Sequence, residues 1–483
     1  MKKGLFAKKS VKSLLKEASA EKGGLKRSLG PFNLIAIGIG AIIGAGLFVL
    51  TGEAAASAAG PGVVISFFIA AIVCSFAALC YAEFASMIPI AGSAYLYGYV
   101  ALGEFFAWIM GLALTIYYLF SCCTVAVGWS GYFSSLLHDL GIDLPALFSK
   151  APLAYSPKLG WMQTESMINL PAILIIGLIG WLVARGIQTA AMLNNLLVFV
   201  KVGIILLFIG CGLAFIKGDN LTPFIPTNTG IFGEYGWSGI FRGAGIVFFG
   251  YLGFDSVSTL AQEAKKPQRN LPIGMLGSLG ICAVLYIIFG FVLTGTANYQ
   301  TLGVEDSIAI AVRAFGPKFT WLRYVVNIAI LSGLTSVILV MLMGQARIFY
   351  AIAHDGLLPK IFGKIHHKFH TPFPATIAVM IMGMVLSGFF PIGILGPLTS
   401  MGALLSFGMV CFGVLLLRYK QPHLDRPFKT PWFPAIPLLG TLFCLTLMAL
   451  LPSVIWMQFG LLLVFWCAIY FLYSKKNSKV RNG

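Results

Sequence analysis

The 483-residue chain is short of charge: Asp, Glu, Lys and Arg make up 10% of it, where a soluble domain carries roughly 25%. It is shorter still of acid, with 16 Asp and Glu against 33 Lys and Arg. Histidine is scarce, six residues at 138, 354, 366, 367, 370 and 423, all in expected loops or at helix ends. The nine cysteines, at 74, 80, 122, 123, 211, 282, 411, 444 and 467, form no Cys-x-x-Cys pair. They read as small packing residues, not disulfides or metal ligands. No GxxxxGK[ST] loop is present to cradle a nucleotide phosphate. A membrane metalloenzyme, a haem protein and an ATP-driven pump each lack their groups here, and no cofactor is expected. A receptor with a transporter-like core would carry a large soluble domain. The longest stretch between apolar runs is the short one following Phe133.

What the chain has in abundance is apolar length: 58% of its residues are hydrophobic. Stretches of about 17–28 apolar residues are long enough to cross a bilayer as helices. Twelve are expected: Phe32–Leu50, Gly62–Ile88, Phe105–Phe133, Ile168–Ala184, Met192–Phe215, Ile240–Ala261, Ile273–Leu293, Tyr324–Ile352, Ala375–Phe390, Leu398–Leu417, Ile436–Leu451 and Val454–Tyr473. Barrel strands would be about ten residues long and alternate in polarity, so an all-α membrane fold is expected.

Basic residues orient the spans. With the N-terminus inside, 25 Lys and Arg fall on inner segments and six on outer ones, leaving Lys201 and Arg242 within apolar runs. That asymmetry is a positive-inside signal and places both termini in the cytoplasm of a cell membrane. It also accounts for much of the +17 net charge without nucleic acid. The basic tail followed by an apolar run and Ala54–Ala59 imitates a signal peptide. The basic region is too long, however, and eleven further spans follow, so the first run reads as retained. The tail from Val11 to Leu29 mixes Leu with Lys, which suits either a segment on the inner leaflet or a solvated tail.

Two spans are interrupted. The first holds four glycines in nine residues, at 38, 40, 44 and 46; the sixth holds Gly243, Gly245, Gly250 and Gly253 before Asp255. Each glycine costs about 1 kcal/mol in a helix interior relative to alanine. The two spans are five apart, so two five-span repeats of opposite insertion place the interruptions in matching positions, a pointer to a transporter's central site. A broken helix frees N–H groups that suit a carboxylate and C=O groups that suit an ammonium. An α-amino acid carries both. Gly40 and Gly44 alone fit equally well a GxxxG packing face.

Lys201 sits near the middle of the fifth span, where an ionisable residue costs about 2.5–3.5 kcal/mol. Burial disfavours its charged form, which suits a proton-linked switch. The alternatives are a fixed ammonium in place of a bound cation and a lysine that only ties helices through carbonyls. Arg242 is expected to snorkel, Glu83 to serve structure, and Asp255 to cap a half-helix or act in transport. Glu263, Lys265, Lys266 and Arg269 read as a solvated inner loop. Tyr117, Tyr118 and Trp129 read as packing.

Gly38–Gly52 (GIGAIIGAGLFVLTG), Cys80–Tyr95 (CYAEFASMIPIAGSAY), Val127–Phe133 (VGWSGYF), Phe248–Ser258 (FFGYLGFDSVS), Pro267–Gly274 (PQRNLPIG) and Gln345–Pro359 (QARIFYAIAHDGLLP) together resemble the amino acid–polyamine–organocation transporters. More narrowly, they are similar to bacterial relatives of the cationic amino acid transporter family. The resemblance runs from about Lys26 to Tyr473. It implies a five-plus-five inverted repeat, 32–216 and 217–418, between terminal tails 1–31 and 474–483, with two extra helices at 419–473. The substrate carboxylate is then expected at Gly44, Ala45 and Gly46, and the amino group at the carbonyls of Ile42, Phe249, Gly250 and Leu252. Phe249 and Tyr251 are expected as a gate. Lys201 is expected beside Ile39, Ile42, Thr335 and Ser336 as the proton-coupling group.

Two departures bear on the substrate. Relatives often carry a hydroxyl where Ala45 stands. Cation-binding relatives have a Glu before the tyrosine of the third span, where this chain has Tyr117-Tyr118. A cationic side chain would lack its counter-charge, so neutral amino acids are expected over arginine and lysine. The expected activity is proton-coupled symport of amino acids by a secondary transporter. Exchange or facilitated flux without protons, or transport of cationic amino acids, are the rivals. The chain leaves open whether a small membrane subunit joins.

Overall fold

The computed structural model describes residues 4, 7–11, 27–48, 50–90, 92–156, 160–303, 307–451 and 453–482. Most of the tail stretch Val11–Leu29 therefore lies outside the described residues. Among those described, helices dominate, and the one sheet is a hairpin in which Leu153–Ser156 pairs antiparallel with Gly160–Gln163.

Each apolar run expected to span is largely helical among the described residues, with breaks at Ile43–Gly44 and Leu252–Asp255. Among the described residues eight helical stretches are long and apolar enough to cross a membrane, and four shorter apolar helices lie at Pro31–Ile42, Leu170–Arg185, Phe373–Phe389 and Ala435–Ala449. The first span extends further than expected. It continues past Leu50 through Leu50–Ala54 and a π-helical turn at Ala55–Ala59, so the alanine run is helix and not a cleavage-like segment.

Burial separates core from rim. In its most apolar window Glu104–His138 is 89% buried, whereas Ser453–Asn477 is 17% buried. Every residue from Ala36 to Ile42 is buried, as expected of a helix that is apolar all round. That helix packs against Pro267–Thr296, Ile187–Leu213 and Thr320–His354, so the first break is enclosed by protein. Leu170–Arg185 and Phe373–Phe389 pack on each other, and Ile392–Lys420 packs on Ala435–Ala449.

At the end bearing the chain termini, buried carboxylates hold the helices together. Glu83 takes Arg418 through Nε (2.9 Å) and Nη2 (2.5 Å) and the Thr430 amide at 2.8 Å. Glu104 accepts from Tyr99, Tyr470 and Ser478 at 2.7, 2.8 and 2.5 Å. Asp355 pairs with Lys9 and accepts from Tyr95 at 2.8 Å. The solvated reading of Glu263 is corrected. It is fully buried, and Arg347 grips it with Nε at 2.9 Å and Nη2 at 2.6 Å. Arg347 is itself buried within Thr320–His354. A carboxylate in this environment needs a fork-shaped partner, and that partner lies 84 residues away.

Candidate functional site

The first span stops at Ile42 because Ile43 is extended (φ −76°, ψ 102°). Helix resumes at Ala45, which leaves the first-turn N–H groups of Ala45 and Gly46 without intrahelical acceptors. The sixth span runs as Gly236–Phe248, tightens to a 3₁₀ turn at Phe249–Tyr251, opens at Leu252 (φ −63°, ψ 141°) and restarts at Ser256. Gly253 has φ +121°, a conformation that a side chain opposes.

The two breaks press on one another. A Cβ on Gly46 would lie 2.2 Å from the Gly250 Cα, and one on Gly253 would lie 2.8 Å from the Ala41 carbonyl carbon. Glycine is thus required for close approach of backbones. The two glycines of the GxxxG pattern also face other helices: Gly40 abuts Asn194 and Gly44 abuts Val337.

Tyr286, which sequence reasoning passed over, joins the breaks. Its hydroxyl lies 3.0 Å from both the Ile42 and the Gly250 carbonyl oxygens. A tyrosine in the middle of an apolar helix needs a partner for its hydroxyl, and that was the available signal. The Phe249 carbonyl accepts from the Leu252 amide at 3.2 Å. The Ile42 and Gly250 carbonyls share the single Tyr286 proton, and the Phe249 carbonyl has the Leu252 amide.

Lys201 is fully buried. Its Nζ donates toward the carbonyls of Ile39 (3.1 Å), Gly40 (3.0 Å) and Ile43 (2.9 Å) and the Ser336 hydroxyl (2.8 Å). The first helix near Ile39 and Ile42 and the Ser336 hydroxyl are thus beside it, with two differences of detail. Thr335 turns its hydroxyl to Leu331 of its own helix at 2.7 Å, and the Ile42 carbonyl goes to Tyr286. On Thr320–His354 adjacent residues point about 100° apart, so only one of the pair reaches Lys201.

Asp255 is fully buried and makes no cap to the half-helix behind it. Its carboxylate accepts from Tyr117 at 2.9 Å and from Tyr118 at 2.7 Å. Successive side chains diverge on a helix. These two phenols reach one carboxylate from a π-helical turn at Ile116–Phe120, a feature frequent at functional sites. Packing alone was too little for this pair. Of the expected gate, Phe249 is half-buried, and Tyr251 is buried with its hydroxyl donating to the Phe67 carbonyl at 3.1 Å. No group of His, Cys, Asp and Glu suited to a metal is found among the described residues.

The family model described as amino acid permease matches residues 29–473. The chain is 42% identical to the branched-chain amino acid permease BcaP of Bacillus subtilis (strain 168), over 99% of this chain and all of that one. It is 40% identical to the methylthioribose transporter of the same organism, over 98% of each. It is 33% identical to the vacuolar cationic amino acid transporter 4 of Arabidopsis thaliana, over 82% of this chain and 64% of that one. These relatives are permeases and transporters, not enzymes. A family model that matches nearly the whole chain, with a 42% identical permease matched from end to end, means that this chain belongs to the amino acid permease family of the amino acid–polyamine–organocation superfamily.

Proposed function

We propose that this protein is a secondary transporter that moves neutral L-amino acids across a bacterial cell membrane by proton-coupled symport. In this reading twelve helices cross the bilayer with both termini in the cytoplasm. Two inverted repeats at 32–216 and 217–418 enclose the site, and two helices at 419–473 lie outside them.

The observation that carries the reading is Lys201, buried mid-span and bonded to the first break and to Ser336 at once. An ammonium there holds the carbonyl end of the break to two other helices. Its three protons are shared among these four acceptors, and its deprotonation weakens the whole set, which gives the proton unequal affinity for two arrangements of the bundle. The substrate carboxylate binds the amides at Gly44, Ala45 and Gly46. Its amino group takes carbonyls of Ile42, Phe249, Gly250 and Leu252 as Tyr286 and the local turn release them, and Phe249 and Tyr251 gate the site. Neutral substrates are favoured because the two tyrosine hydroxyls already occupy Asp255, the acid nearest the sixth break in sequence. The branched-chain relative is in keeping with this preference.

The test is uptake of radiolabelled leucine, alanine and arginine into liposomes holding the purified protein, with and without an inward proton gradient. Gradient-driven leucine or alanine accumulation supports the reading, and equal uptake without a gradient replaces it with exchange or facilitation. The methylthioribose relative favours a second reading, a neutral thioether sugar as cargo. Competition by unlabelled methylthioribose against leucine distinguishes the two.

A further inference from the structure

A groove of about 630 Å³ opens on the outside of the bundle at the end where the chain termini gather, a volume within the range of ligand sites. One wall is the start of Pro267–Thr296, with Arg269, Ile273, Leu276 and Gly277; the other is Pro427 and Phe428. The far wall is preformed. The Phe428 amide donates to Ser86 Oγ at 3.2 Å, and the Thr430 amide to the buried Glu83 at 2.8 Å.

The helix wall has an order to it. Arg269, Ile273, Gly277, Ile281, Val284 and Ile288 follow one another at intervals of four or three residues, so they lie on one face. Ile273, Ile281, Val284 and Ile288 are 39, 43, 57 and 39% exposed, an apolar stripe that continues the groove along the bundle. Gly277 makes a notch in it, and a Cβ there would touch Ile35 at 3.3 Å. Arg269 stands at the head of the stripe. Among the described residues its guanidinium has no hydrogen-bond or ion-pair partner. Lys265, Lys266 and Lys429 are exposed around it, against the single exposed acid Asp425 in the facing loop. The buried acids nearby are already paired, Glu263 with Arg347 and Glu83 with Arg418.

We propose that this groove holds one anionic phospholipid of the adjacent leaflet, its phosphate on Arg269 and an acyl chain along Ile273, Gly277 and Phe428. The chemistry argues for a lipid over other occupants. A soluble anion has no use for the apolar walls, and the stripe leads directly from the groove onto the surface that faces acyl chains. The N-terminal stretch 12–26 carries four lysines against two glutamates and shares the sign of Arg269. In the orientation proposed above this is the cytoplasmic leaflet, where anionic lipid attracts basic residues by about 1 kcal/mol each.

Native mass spectrometry of the full-length protein in detergent, titrated with phosphatidylglycerol, phosphatidylcholine or glycerol phosphate, tests this. We expect retention of one phosphatidylglycerol in preference to phosphatidylcholine, reduced about fivefold by Arg269→Gln and restored by Arg269→Lys. Ile273→Trp, which fills the groove, should reduce retention of both lipids. Equal retention of the two lipids by the wild type overturns the proposal, as does insensitivity to both Arg269→Gln and Ile273→Trp. Full competition by glycerol phosphate would make this a free-phosphate site and also overturn it. A dimer that dissociates on Ile273→Trp would assign the face to a second copy instead. None of these readouts requires transport, so the lipid site and the proposed function fail separately.

Discussion

Lys201 and Ser336 lie 135 residues apart in sequence and meet at 2.8 Å over a carbonyl they share, that of Gly40, at 3.0 and 2.9 Å respectively. The ammonium and the hydroxyl together satisfy the carbonyl end of the first break. Hydrogen bonds to charged groups contribute about 1.5–3 kcal/mol. Lys201→Met should therefore abolish gradient-driven accumulation in liposomes while folded protein is still recovered. Ser336→Ala should slow the same uptake roughly ten- to a hundredfold. Normal proton-driven accumulation by Lys201→Met would remove Lys201 from the coupling step.

The contact between Gly46 and Gly250 leaves no room for a side chain. Gly46→Ala places a carbon 2.2 Å from the Gly250 Cα, and backbone cannot swing aside as a side chain can. Overpacking of this kind costs about 1–3 kcal/mol. Substrate protection against thermal unfolding should disappear, and uptake should fall to background. Ala substitution at Gly245, where a Cβ meets nothing within 4 Å, is the matched control and should transport normally.

Freeing Asp255 should change what the site accepts. In the Tyr117→Phe/Tyr118→Phe variant both hydrogen bonds to the carboxylate are gone. The buried carboxylate is then left without a donor, and a guanidinium or ammonium that enters beside it supplies both the hydrogen bonds and the opposite charge. Arginine uptake should rise relative to leucine uptake by about tenfold or more, the scale of one charge-assisted hydrogen bond. An unchanged arginine-to-leucine ratio in a folded, leucine-transporting variant would count against the two tyrosines as selectivity residues.

The Glu263–Arg347 pair should behave as a buried pair does. Removing one partner strands the other charge and costs about 3–5 kcal/mol, while replacing both is far milder. Glu263→Gln and Arg347→Met should each lower the melting temperature markedly. The double variant should recover much of the loss. Additive losses in the thermal melts would contradict an isolated bidentate pair.

How far the residues could be read in advance depended on range. Lys201 is conspicuous because it is charged amid Val198–Ile204, and its expected neighbours Ile39 and Ser336 are found beside it. The interruptions at Gly44 and Leu252 were visible as glycine clusters. Lys201 bonds the first helix near Ile39 and Ile42, through the carbonyls of Ile39, Gly40 and Ile43, while the Thr335 hydroxyl donates to Leu331 of its own helix; which atoms engage was not legible. Tyr286 escaped notice, and although Asp255, Tyr117, Tyr118 and Glu263 were each singled out, the pairing of Asp255 with the two tyrosines and of Glu263 with Arg347 was not read. Each is an ordinary residue type whose meaning lies in a partner on another helix.

Apolar run length, glycine clustering and the placement of Lys and Arg determine, from the sequence alone, an α-helical membrane chain with two weakened helices. These are local properties, set by the transfer of side chains to lipid and by the propensity of each residue. Which carbonyl receives the Lys201 ammonium, that Tyr286 spans both breaks, and that Asp255 is held by two phenols were decided only by tertiary structure. In a low-dielectric interior every buried polar group must find a partner, and helix packing, not proximity in the chain, determines which partners are within reach.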